Sequence, residues 1–187
     1  GGLVVDATHE AADIADVAAD IAEEFSGPAH NRGIRLAVQG SGTLTAGSAA
    51  RAPLRTVLSN LVANAIRLAP SGSRVRVDWG TVPGWAWVAV TDEGPGLPAS
   101  HHARVFERGW RGPHERHRDT GAGLGLTIAR QLTEAQGGQL TVASLEGAGS
   151  TFTAWIPTTP DANRQTVVDA DGVHPAVAPW EHESSAV

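Results

Sequence analysis

Leu54-Arg-Thr-Val-Leu-Ser-Asn60-Leu-Val-Ala-Asn64-Ala-Ile-Arg67-Leu68 is the stretch on which the fold turns. Its apolar residues Leu54, Val57, Leu58, Leu61, Ala65 and Leu68 recur at threes and fours, which predicts a helix from about Ala49 to Ala69 with one core-facing arc, stopped by Pro70-Ser-Gly. Upstream, Ile14, Val17, Ala18, Ile21, Ala22 and Phe25 predict an amphipathic helix over Asp13–Phe25, ending in the Gly- and Pro-containing run Ser26–Gly33. Ile34–Val38 then reads as a strand, with another across Gly42–Thr45. Downstream, Arg74–Trp79 and Trp85–Thr91 read as a hairpin turning at Pro83-Gly84, and Leu140–Ser144 with Thr151–Ile156 as a second one. Between them Leu124–Gln136 is a helix with Leu124, Ile128, Leu132 and Ala135 inward, capped by Gly137-Gly138. Helices and antiparallel strands in segregated runs make the fold class α+β, one mixed sheet covered by helices on one face. Periodicity fails after Pro157, so residues 158–187 are expected to be a disordered tail.

Composition removes several chemistries. All 14 basic residues of the 187 are arginine, and with no lysine there is no GK[ST] phosphate loop and no Schiff base. Without cysteine there is no disulfide, thiol nucleophile or four-cysteine zinc site. Methionine is absent too, which suggests a piece of a longer protein. No apolar run approaches a membrane span, so no membrane contact by this segment is expected. The net charge of −6 divides unevenly, as −7 over residues 1–24, +5 over 25–157 and −4 over 158–187. The basic middle lacks the aromatic-interleaved motifs of a nucleic-acid binder, so a small anionic ligand fits it better.

Four clusters carry possible chemistry, each with a blander reading beside it. Asn60, Asn64 and Arg67 fall at i, i+4 and i+7 and form one polar stripe beside the apolar arc. An Asn carbonyl oxygen suits Mg²⁺ where a polyphosphate supplies the negative charge, although a polar helix edge looks the same. Asp92, ending a hydrophobic strand before Gly94-Pro-Gly96, can accept from an exocyclic amine such as that of adenine. A tight turn would also use these glycines, and the loose GxGxxA match of Gly94, Gly96 and Ala99 lacks the surrounding βαβ units. Gly121-Ala-Gly123-Leu124-Gly125-Leu126 opens a helix with free N–H groups suited to an anion, just after Arg111, Arg116 and Arg118. A hinge would have the same composition. Gly147-Ala-Gly-Ser150-Thr151-Phe152 alone is a turn into a strand.

In order, Asn60-Leu-Val-Ala-Asn64-Ala, Asp92-Glu-Gly-Pro-Gly96, Val105-Phe106-Glu107-Arg108, Gly121-Ala-Gly-Leu-Gly-Leu126 and Gly149-Ser-Thr-Phe152 resemble the N, G1, F, G2 and G3 boxes of the catalytic, ATP-binding domain of bacterial sensor histidine kinases, in the GHKL superfamily. The resemblance implies a Bergerat two-layer α/β sandwich over residues 1–157 and an ATP lid over about 98–120. It implies that Asn64 ligands Mg²⁺, that Asn60 and Arg67 contact phosphates, and that Asp92 reads the adenine amine with Gly94 and Gly96 giving the base room. Gly121, Gly123, Leu124, Gly125 and Leu126 would wrap the triphosphate and Phe106 would anchor the lid. Arg111, with Arg116 or Arg118, would reach the γ-phosphate, and Leu97, Arg108 and Thr151 complete the nucleotide-binding set. The catalytic set so implied is Asn60, Asn64, Arg67 and Arg111. Leu68 stands where the family often has an aromatic near adenine.

Hydrolysing members of the superfamily carry a Glu at the position of Asn60, and an amide cannot act as that base. The resemblance therefore implies transfer of the γ-phosphate of Mg-ATP to a protein histidine, ahead of a non-catalytic ATP-sensing module or an ATPase. Thr8-His9-Glu10 begins like the phosphoacceptor box, but Ala11 and Ala12 depart from it, so the acceptor is expected on a dimerisation domain outside this segment. The implied partners are that domain and a response regulator, in a homodimeric, membrane-anchored bacterial protein with this module in the cytoplasm. His101, His102, His114 and His117 are expected to be solvent-exposed rather than a metal site.

Overall fold

The computed structural model describes residues 11–40, 45–110, 112, 123–158, 166–169 and 172–175. A short strand β1 (Ala11–Asp13) leads into helix α1 (Ile14–Asn31), where the Asp13 carboxylate accepts from the Ala15 N–H at 2.9 Å as an N-cap. Strands β2 (Arg35–Gly40) and β3 (Thr45–Ala50) precede helix α2 (Arg51–Leu68). The hairpin β4 (Arg74–Val82) and β5 (Trp85–Asp92) follows, then two single turns of 3₁₀-helix, Ala99–His101 and Arg104–Phe106. Helix α3 (Gly125–Ala135) and the hairpin β6 (Gln139–Leu145) and β7 (Gly149–Pro157) complete the core.

The main sheet has the order β2-β4-β5-β7-β6, parallel only between β2 and β4. Alternation gives it two unlike faces. Val75, Val77, Ala86, Val88, Val90, Phe152, Ala154 and Ile156 are buried in one core with Ile14, Ile21, Leu54, Leu58 and Leu61 of the helices. The opposite face shows Arg74 and Arg76 to solvent beside half-buried Trp85, Trp87 and Thr91. This is the expected mixed sheet covered by helices on one face.

Local departures have local causes. Helix α1 ends at Asn31, inside the Ser26–Gly33 run where its end is expected, and passes through Gly27-Pro28 to get there. Proline costs a helix one N–H bond, but here Ala29 is 1% exposed, and its carbonyl and that of His30 close the end by accepting from Arg32, Gly33 and Ile34. Of the strand expected at Gly42–Thr45, residues 42–44 lie outside the described residues; strand β3 pairs with β1, outside the main sheet, and the next helix starts at Arg51. Helix α3 is rotated from its apolar stripe. Ala129 (0% exposed) and Thr133 (1%) lie at its centre while Ile128 is 39% exposed. Thr133 tolerates burial because its hydroxyl donates to the Ala129 carbonyl at 2.8 Å. In the tail, read as lacking regular structure, Thr166–Asp169 (β8) and Gly172–Pro175 (β9) pair antiparallel, which corrects that expectation for those eight residues.

Candidate functional site

Asp92 ends β5 on the helix-covered face, opposite Val75 on one side and Ser150 on the other. It is 2% exposed. Its Oδ1 accepts from the Gly94 N–H at 2.8 Å, while Oδ2 is buried with no hydrogen-bond partner among the described residues. A buried acceptor left open costs free energy unless a ligand completes it. Burial pushes this carboxyl up from its ordinary 3.8 to about 6, and the N–H groups of Gly94 and Ser150 oppose the rise. An amine donor at Oδ2 favours the charged form, so ligand binding pulls the proton off. Affinity for an amine-bearing base is therefore expected to rise with pH through about 6 and level off above it. Titrations between pH 5 and pH 8 check this, and an affinity flat across that range would refute it.

The glycines around Asp92 are set by close approach. A Cβ on Gly94 would lie 2.6 Å from Asp92 Oδ1 and 3.2 Å from the Leu68 carbonyl oxygen, which places the end of α2 against the carboxylate turn. Gly96, at φ +66°, presses on the Leu145 carbonyl of the β6–β7 turn, where a Cβ would collide. Its role is thus to dock this turn on the hairpin. Gly147 N–H reaches the Pro95 carbonyl at 2.7 Å, and Leu97 N–H donates to Ser144 Oγ at 2.8 Å, fastening the same turn.

The polar stripe of α2 lies against the start of α3. Asn60 Nδ2 donates to the Thr56 carbonyl at 2.8 Å, which leaves Oδ1 turned to Gly125, where a Cβ would lie 3.0 Å away. Gly125 therefore lets the start of α3 close on α2. Arg67 Nη2 donates to Asn64 Oδ1 at 2.7 Å. The candidate cation-binding oxygens are thus amides, and no group of three His, Cys, Asp or Glu among the described residues forms a metal cage. That donor set fits a magnesium ion that takes most of its oxygens from phosphates and water.

At the start of α3, Leu124 and Leu126 are half-buried, and Gly123 adopts φ +65° with its carbonyl accepting from Gly109 N–H at 3.1 Å. This bond pins the two ends of the intervening segment together. Phe106 is buried edge-on to Phe152 at 6.1 Å, its carbonyl accepts from Thr127 Oγ1 at 3.0 Å, and the Arg130 guanidinium lies 5.6 Å from its ring centroid. Arg108 is exposed. Arg111, Arg116, Arg118, Gly121, His114, His117 and His9 lie outside the described residues. His101 is half-buried rather than solvent-exposed, packing edge-on to Trp110 at 5.5 Å with its Nδ1 buried. His102 Nε2 sits 3.4 Å from the Leu97 carbonyl.

Strand parity sets Thr151 on the face opposite to that of Asp92. Paired with Thr91, it points to the face away from the helices, where the two hydroxyls meet at 3.0 Å. Ser150 takes the inward place beside Asp92 and is 6% exposed. The sequence expectation names Ser150 only as part of the Gly147–Phe152 turn and gives neither it nor Ser144 a place in the site. The signal for Ser150 was available, since strict alternation puts it on the face of Phe152 and Ala154. Ser144 becomes visible only with the β6–β7 register.

Residues 49–160, more than half of the chain, match the family described as histidine kinase-, DNA gyrase B-, and HSP90-like ATPase. Sensor histidine kinase Hik2 of Synechocystis sp. is 36% identical over 141 residues, covering 68% of this chain and 32% of Hik2. Sensor-like histidine kinase SenX3 of Mycobacterium tuberculosis is 43% identical over 105 residues, covering 56% of this chain and 26% of SenX3. The chain thus spans about a third or less of these two relatives. Full-length ShkA in complex with AMPPNP superimposes with a TM-score of 0.68 at 31% identity, over 78% of this chain and 30% of ShkA. The nucleotide-free catalytic domain of the histidine kinase ThkA shares the fold, with a TM-score of 0.67 at 23% identity over 81% of this chain and 96% of that domain. The matched span begins just before α2 and ends just past β7, so it takes in Asp92 with the turns around it, and the chain belongs to the histidine kinase-, DNA gyrase B-, and HSP90-like ATPase family.

Proposed function

We propose that this chain binds Mg-ATP between α2, the Asp92 turn and the start of α3, and donates the γ-phosphate to a histidine on a dimerisation domain of a two-component sensor histidine kinase. The observation that carries the proposal is the open acceptor on Asp92, buried at the end of a strand and walled by glycines. Asp92 accepts from the adenine amine, and guanine has no donor at that position. Asn60 and Arg67 face phosphate oxygens, and α3 offers its N-terminal N–H groups to the same anion. Arg111, Arg116, Arg118 and Gly121 are proposed to complete the hold on the triphosphate. Asn64, whose Oδ1 accepts from Arg67 in this structure, would hold magnesium together with phosphate oxygens, and the ion would supply charge neutralisation. The imidazole nitrogen attacks the γ-phosphorus in line, an N–P bond forms, the bridging P–O bond breaks and ADP leaves; the protein contributes mainly positioning and electrostatics.

Asn60 favours transfer over hydrolysis, because an amide cannot take a proton from water. By the same reading the whole protein is a homodimer that passes its phosphoryl group to a response regulator, and it is membrane-anchored with this module on the cytoplasmic side. Among the described residues no helix is long and apolar enough to cross a membrane. Incubating the chain with γ-labelled Mg-ATP and a separately produced dimerisation domain tests the proposal. Acid-labile label on a histidine is the expected result. Tight ATP binding without label would point to an ATP-sensing module, and steady phosphate release without acceptor to an ATPase.

A further inference from the structure

Asp92, Ser150 and Ser144 lie side by side across three strands, Asp92 pairing with Ser150 and Ser150 with Ser144 in one row on the helix-covered face. A hydroxyl next to a buried carboxylate ordinarily donates to it, and directly opposed side chains are close enough to do so. Here it does not. Ser150 Oγ lies 2.9 Å from Ser144 Oγ, and Asp92 Oδ2 has no partner among the described residues.

The direction of that serine pair follows from counting protons. Ser144 Oγ donates its only hydrogen to the Gly149 carbonyl at 2.9 Å and accepts from Leu97 N–H at 2.8 Å. A hydroxyl has one donor site and two acceptor sites. The assignment that makes hydrogen bonds of both contacts has Ser144 donating to Gly149 and accepting from Ser150, whose hydrogen then points away from Asp92.

We infer that Ser144 is a positioning residue for base recognition: by holding the hydroxyl hydrogen of Ser150 and the N–H of Leu97, it keeps the inner oxygen of Asp92 open as an acceptor and ties the 94–97 turn to the β6–β7 hairpin. This deepens the ATP-binding reading and rests on it for the identity of the ligand. Freed from Ser144, the Ser150 hydroxyl turns to the carboxylate and competes with the incoming amine.

Two readouts on the full chain separate this inference from the reading beneath it. The first needs no nucleotide. Titration of the Asp92 carboxyl by carbon NMR in the ligand-free protein is expected to show a midpoint near 6 in wild type and in S150A, moved toward the ordinary carboxylate range in S144A. S144T is expected to restore the wild-type midpoint, and S144A/S150A to return it even though Ser144 is missing. The second is ATP affinity, which should fall about tenfold in S144A as a competing hydrogen bond and a lost turn anchor are added together, and recover in S144T. An unmoved Asp92 midpoint in S144A, or a moved one in S150A alone, overturns the inference. Should S144A fail to fold, the S150A and S144T midpoints still decide it. Wild-type protein that gives the expected midpoints but binds no ATP would instead sink the functional reading.

Discussion

Replacing Asp92 by asparagine is expected to lower ATP affinity by about two orders of magnitude, the loss of a charge-assisted hydrogen bond together with a mispaired donor. The side chain of Asp92 serves two needs at once, an acceptor for Gly94 N–H on Oδ1 and an open acceptor on Oδ2. An amide has one acceptor oxygen and one donor NH₂. If the oxygen stays with Gly94, the NH₂ meets the adenine amine donor to donor; if it turns, Gly94 N–H loses its partner. The fold should survive the change. Asp92 is an acid whose folded value is raised, so between about 4 and 6 the native state holds more protons than the unfolded state, and wild-type stability falls as pH rises through that window. Above it the buried charge costs up to about 3 kcal/mol. The asparagine side chain of D92N is neutral at every pH and lacks this slope, so thermal melts at pH 8 should show D92N at least as stable as wild type while calorimetry shows the lost affinity. An unfolded D92N, or one that binds ATP as wild type does, contradicts this account of the site.

The second large effect is structural and separates two costs of a left-handed glycine. Gly96 and Gly147 both have positive φ, +66° and +82°. A Cβ at Gly147 meets nothing within 4 Å, whereas one at Gly96 collides with the Leu145 carbonyl. G147A should therefore cost only the backbone strain, about 1 kcal/mol. G96A carries that strain and must also push the Asp92–Leu97 turn off the hairpin, for about 3 kcal/mol or more in total and with it most of the ATP affinity. Urea denaturation of the pair, read beside nucleotide titration, measures the difference. Equal destabilisation would mean that the contact between the turn and the hairpin does not hold the site.

What could be read from the amino acids tracks how local the cause is. Helix α2, the two hairpins and the place of Asp92 at the end of a strand follow from period and turn residues, and they sit where those patterns put them. Asn60, Asn64 and Arg67 were legible as a stripe because helical spacing alone places them on one side. The misreadings came from pairings between distant segments. Ile128 is less buried than Ala129, because the small residues of α3, with Gly125 against Asn60, set how that helix leans on α2. Within the Gly149–Phe152 motif, strand parity puts Ser150 and not Thr151 beside Asp92. Ser144 meets Gly149 and Ser150 within its own hairpin, but its third partner, Leu97, is 47 residues away and lies in no local window.

The central claim is that this chain recognises adenine through Asp92 and binds ATP between α2 and α3. Isothermal titration of the chain with Mg-ATP and, separately, Mg-GTP at pH 8 tests it most directly. The account predicts saturable binding of one ATP per chain, with GTP weaker by at least about tenfold because guanine presents no donor to the carboxylate. No heat of binding with ATP, or equal affinity for the two nucleotides, would contradict it.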